Sequence, residues 1–107
     1  MRLRVLHEAE DELFEATFFY EDRRPGLGLS FYDRANEAMG MIGRDPLRFP
    51  LYEGKQLSRP FRRARVTGFP YVIVYEVREH EMLIVAVAHT SRSPGYWEDR
   101  TAEETQG

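Results

Sequence analysis

Seven apolar residues in a row, MLIVAVA at 82–88, constrain this 107-residue chain more than anything else in it. A strand points successive side chains to opposite faces, so an unbroken apolar run of this length is a strand covered on both sides. The run is far too short to cross a bilayer. It therefore needs sheet neighbours and a layer packed against it, all drawn from one small domain with a modest core.

The neighbours can be read upstream. YVIVYEV (71–77) is rich in β-branched and aromatic residues, and REHE (78–81) is a tight polar turn into the last strand. Phe61–Val66 can alternate, with Ala64 and Val66 on one face and Phe61, Arg63 and Arg65 on the other, before a Thr67-Gly68 turn. Leu3–Leu6 reads as a short first strand. Between them the period changes. Leu6, Ala9, Leu13, Ala16 or Thr17, and Tyr20 recur at three and four, which predicts a helix from about Glu8 to Arg23. Glu8, Glu10, Asp11 and Glu12 crowd its start, where the helix dipole favours them. Pro25 ends it and Gly26 can take a positive φ. Phe31, Ala35, Ala38 and Ile42 restart the period, up to Gly43 or Arg44 before Asp45-Pro46. So short a link makes the two helices antiparallel. Residues 45–60, with three prolines and a glycine, read as a loop.

The expected fold is therefore α+β, in the order β-α-α-β-β-β. A small, mainly antiparallel sheet carries two N-terminal antiparallel helices on one face. Residues 1–98 form the domain, and 99–107 an acidic tail expected to be disordered. With Ala64 and Val66 turned to the helices, Arg63 and Arg65 fall on the opposite face.

Composition narrows the chemistry. The net charge is −3, which argues against a generic nucleic-acid coat, yet residues 59–95 hold six arginines against three glutamates. There is no cysteine, hence no disulfide and no thiol chemistry. His7, His80 and His89 lack metal-ligand spacing, so neither a metal nor another cofactor is expected. Acidic residues interrupt any apolar stretch near the N-terminus, and a soluble cytoplasmic protein without membrane attachment is the expectation. After the last strand comes HTSRSPGYW (89–97), which presents His89, Arg92, Tyr96 and the only tryptophan. Trp97 is expected to be buried as a plug, with Arg92 and Tyr96 exposed on the side of Arg63 and Arg65. On the first helix, Phe14, Phe18 and Phe19 exceed what one buried stripe can use.

Taken together, PGLG (25–28), FPYVIVY (69–75) and AVAHTSRSPGYW (86–97) resemble the RelE/ParE superfamily of bacterial type II toxin–antitoxin toxins, over residues 1–98. The resemblance implies a cognate antitoxin as partner in a hetero-oligomer, with the antitoxin or a second toxin covering the phenylalanines of the first helix. It implies one of two targets. RelE-like members cut mRNA on the ribosome, and ParE-like members inhibit DNA gyrase without chemistry. A module that binds antitoxin without toxicity is a third reading.

For RNA cleavage a 2′-hydroxyl must be oriented, phosphorane charge neutralised and the leaving oxygen protonated. By that resemblance Arg63, Arg65, His89, Arg92 and Tyr96 are the candidate catalytic residues, and the set leans toward ribosome-dependent mRNA cleavage. Arginine suits the charge role through its planar fork, and His or Tyr can move protons. Many relatives carry a further arginine just after FPY, where this chain has Val72. Without the resemblance, Arg63 and Arg65 read as a solvated strand face, and Tyr96 with Trp97 as an aromatic clasp.

Overall fold

The computed structural model describes residues 2–52 and 57–101. Strand β1 is Arg2–Val5, helix α1 His7–Arg23 and helix α2 Leu27–Arg44. Strands β2 (Arg62–Arg65), β3 (Tyr71–Val77) and β4 (Glu81–His89) follow, and a 3-10 turn, Glu98–Thr101, ends the described chain. The order of elements and the α+β class are those expected from the sequence.

The sheet runs β1-β4-β3-β2. β4, the all-apolar strand, is central and buried from Met82 to Ala88. It pairs antiparallel with β3 and parallel with β1. The parallel pairing follows from the helical hairpin between β1 and β2, which returns the chain across the sheet. Arg4 fastens it by donating from Nε and Nη2 to the Glu81 carboxylate at 3.0 and 2.9 Å. Those hydrogen bonds hold the Glu81 carboxyl below its usual value.

The helices cover one face. α1 buries Ala9, Leu13 and Ala16, and α2 buries Phe31, Ala35, Ala38, Met39 and Ile42. Gly26 caps α2 with φ 88°, a left-handed conformation that glycine adopts without strain. Two residues on, a Cβ at Gly28 would stand 2.4 Å from the Thr17 carbonyl oxygen, so only glycine lets the helices meet there. Tyr71 packs against Phe31 and Tyr20, which marks the helix-facing side of β3. Ala64 pairs with Ile73 and Arg65 with Val72. Alternation then turns Ala64 inward and Arg63 and Arg65 away from the helices, as the sequence implied.

That second face is not open. Val72, Val74, Ala86 and Ala88 on it are buried, and Trp97, 1% exposed, lies against the rings of Phe61 and Tyr52. The tryptophan closes the fold, as expected, using the loop after α2. The ordered chain also runs past residue 98. Arg100 is half-buried and Thr101 buried, although the sequence placed both in the tail. The cause is a carboxylate on α1 that Arg100 reaches. Residues 102–107 lie outside the described residues.

Candidate functional site

β1 ends at Val5, paired with Ile84, and Leu6 donates its N–H to the Ile84 carbonyl. Beyond that point β4 has a free edge with backbone groups that need partners. Side chains supply them. Glu12, from α1, accepts the Val87 N–H at 3.0 Å, and Arg100 donates to the Val85 carbonyl at 3.0 Å. The two side chains are themselves joined, with Arg100 Nη1 and Nη2 at 2.8 and 3.0 Å from the Glu12 oxygens. The Tyr96 hydroxyl completes the group by donating to Glu12 Oε2 at 2.6 Å. A planar guanidinium matched to a carboxylate is the strongest common form of such pairing.

Electrostatics follow the geometry. Burial pushes the Tyr96 phenol far above its usual value, and the hydrogen bond to Glu12 and that residue's charge push it further. Burial alone would lower the Arg100 guanidinium, but the Glu12 hydrogen bond and charge more than offset this and raise it. Tyr96 is thus a fixed hydrogen-bond donor. This corrects the expectation of an exposed tyrosine on the side of Arg63 and Arg65. The tyrosine is half-buried, and its hydroxyl is turned to α1 by a carboxylate that the sequence reading assigned only to the helix dipole.

Arg92 lies over Tyr96, its Cζ 3.6 Å from the ring centroid and its Nη1 3.9 Å from Glu12 Oε2. His89 ends β4 with its ring 5.1 Å from that of Tyr71, and its Nδ1 is held by the Ser91 backbone N–H at 3.0 Å. His89, Arg92 and Tyr96 line one hollow of about 270 Å³ with Glu12 and Glu15.

Arg63 and Arg65 stand elsewhere. They border a larger hollow of about 490 Å³ at the β2 edge, shared with Ala38 and Met41 of α2 and with Phe49. Arg63 rests over the Tyr52 ring at 5.4 Å, and its Nε is buried without a hydrogen-bond partner. The Arg65 side chain has no hydrogen bond or ion pair to any described residue. Between the two groups stand aromatic rings, Tyr52 against Trp97 and Trp97 against Tyr96. The five residues therefore form two clusters, not one.

Sequence reasoning missed Glu12 and Arg100. The available signal was the helical stripe itself. Glu12 sits four residues before the buried Ala16 and next to buried Leu13, so it borders the apolar face and cannot be wholly solvated. No group of three or more potential metal ligands occurs among the described residues. No helix among them is long and apolar enough to cross a membrane.

This architecture, two helices over a mixed four-stranded sheet, is the ParE/RelE-like α+β fold. The family model described as ParE toxin of type II toxin–antitoxin system, parDE, matches residues 3–94, and the chain belongs to that family. A solved chain from the chromosomal ParDE toxin–antitoxin system of P. aeruginosa superimposes with a TM-score of 0.72 at 14% identity, over 83% of this chain and 95% of that one, a likeness of fold. No curated protein matches the sequence significantly.

Proposed function

We propose that this chain is the toxin of a cytoplasmic toxin–antitoxin pair and arrests growth by binding DNA gyrase, without cutting RNA. The observation that carries the reading is the commitment of Tyr96. A phenol moves protons best when its oxygen is open to the substrate and its pKa lies near the working pH. The Tyr96 oxygen donates to Glu12, and its pKa is displaced upward. The cations needed around a phosphorane are also divided, with Arg92 on one side of the Trp97–Tyr52 ring stack and Arg63 on the other. Val72 leaves no arginine at the start of β3 to join them. What remains suits recognition by surface: Arg65, which has no hydrogen bond or ion pair to any described residue, an adjoining hollow with apolar walls, and exposed phenylalanines on α1. A cognate antitoxin encoded beside the gene is the natural cover for part of that surface.

The test is to add purified chain to a gyrase supercoiling reaction and, separately, to ribosomes translating a defined mRNA. Supercoiling should fall and the mRNA should stay intact, and the neighbouring open reading frame's product should reverse the effect. Cleaved mRNA with unaffected supercoiling would overturn the reading in favour of the nuclease that the arginine set suggested.

A further inference from the structure

The strip of α1 that faces the end of β4 carries Glu8, Glu12, Glu15 and Phe19, spaced four, three and four apart and so aligned on one side of the helix. Against its middle lies the 270 Å³ hollow, with Phe19, Tyr71 and Tyr96 as aromatic walls and Glu12 and Glu15 as carboxylates. Aromatic faces beside carboxylates suit a guanidinium, which is planar, weakly hydrated, stacks on rings and pairs with acids.

The chain already sets its own arginines on two of these rings. Arg92 lies 3.6 Å over Tyr96, and Arg23 lies 4.5 Å over Phe19. Arg92 is held loosely. Glu12 is already engaged by Tyr96, Arg100 and the Val87 N–H, so Arg92 reaches it only at 3.9 Å, and the Arg92 side chain is 55% exposed. Glu15, on the same hollow, has no partner among the described residues. A stronger ion pair is thus available to an incoming guanidinium than the one Arg92 makes. The potential there is negative enough to act on Tyr71, whose phenol is raised by burial first and then by Tyr20, Glu12 and Glu15.

We propose that this hollow is a socket for an arginine side chain of a protein partner, which Arg92 occupies in the free chain and vacates on binding. The partner segment is basic and amphipathic. Exposed Glu8, Glu10, Asp11 and Glu15 would repel the acidic α1 of a second copy but attract a basic segment. Phe18 and Phe19, exposed beside the socket, take that segment's apolar side chains. The proposal concerns how a partner is held, and it stands whichever cellular target the chain has.

The test uses the full chain and three small probes: acetyl-arginine amide, acetyl-lysine amide and the uncharged acetyl-citrulline amide, followed by NMR. Arg92→Gln empties the socket. It should bind acetyl-arginine amide on the order of fivefold tighter than the natural chain. Shifts should concentrate on Glu15, Phe19, Tyr71 and Tyr96. Acetyl-lysine amide should bind more weakly and acetyl-citrulline amide not measurably. Arg92→Lys, which still covers the ring, should fall between. Adding Glu15→Gln to Arg92→Gln should remove the gain. Equal binding by the natural chain and Arg92→Gln, shifts spread evenly along α1, or equal binding of the lysine probe would each overturn the proposal.

Discussion

Arg100 and Arg65 stand at opposite edges of one sheet. At the β4 edge Arg100 is fully engaged: it meets the Glu12 carboxylate with both Nη atoms and the Val85 carbonyl besides. At the β2 edge the backbone is partly covered, since Arg63 donates its N–H to Pro50 and Leu51 bridges Arg62, but the Arg65 side chain is met by nothing described. A guanidinium is dear to bury and strong once paired, so the first arrangement is a structural seal and the second a charge left for another molecule. The same residue type does both, and only the presence of a partner carboxylate separates them. Sealing the β4 edge also removes a row of free backbone groups that would otherwise invite pairing with another chain.

The largest effects are expected at the residues that hold the sealed edge. Trp97→Ala should cost about 3–5 kcal/mol, because a buried indole would be replaced by a cavity between Phe61, Tyr52 and Tyr96. Urea unfolding of the purified chain measures this directly, and a loss no larger than that of a surface substitution would mean the tail is dispensable. Next comes Glu12→Ala. It leaves Arg100 half-buried without its carboxylate and the Val87 N–H without an acceptor, a loss of roughly 3 kcal/mol. Faster amide exchange at Val87, with the β3–β4 amides still protected, is the expected local signature.

The fold was legible because its signals are periodic. The uninterrupted run of β4 demanded a central strand, the three-and-four spacing of Phe31, Ala35, Ala38 and Ile42 made α2, and Pro25-Gly26 set the link. Trp97 could be foreseen as a plug, since large aromatics after a Pro-Gly turn often fasten a terminus. The candidate residues were legible one by one but not as a constellation. Arg63 and Arg65 are ordered by strand alternation, a local rule. The direction of Tyr96 depends on Glu12, 84 positions away in the chain, and on Arg100. No periodicity links those residues. A carboxylate at the border of an apolar stripe was the one hint, and dipole stabilisation explained it equally well. The burial of Arg100 was hidden for the same reason, as its partner is remote in sequence.

Removing only the Tyr96 hydroxyl is a smaller change at the same edge. Tyr96→Phe keeps the ring under Arg92 and against Trp97 but deprives Glu12 of a donor. A hydrogen bond to a charged group gives about 1.5 kcal/mol of loss at neutral pH. The pH dependence has a definite sign. The folded phenol is raised above its unfolded value of about 10, so its contribution is fully present below that pH. Above it the unfolded chain releases a proton that the folded chain retains, and stability falls as pH rises. Thermal unfolding between neutral and strongly alkaline pH should show a shallower alkaline decline in Tyr96→Phe than in the natural chain. An unchanged slope would place the hydroxyl outside the clasp.

The smallest effect on stability is expected at the other edge, and it decides what that edge is for. Arg65→Ala removes a side chain that is exposed and makes no hydrogen bond or ion pair to any described residue, so the unfolding free energy should stay within about 0.5 kcal/mol of the natural chain. Arg63→Ala should cost somewhat more, roughly 1 kcal/mol, because Arg63 lies over the Tyr52 ring. If this exposed cation is left for a target, growth arrest on induced expression should weaken sharply in Arg65→Ala although the protein is as stable as before. Arg65→Lys, with the charge but not the planar fork, should restore arrest only in part. Should Arg65→Ala arrest growth as well as the natural chain, the β2 edge is an ordinary solvated strand face. The target surface would then lie on α1, where the exposed phenylalanines are.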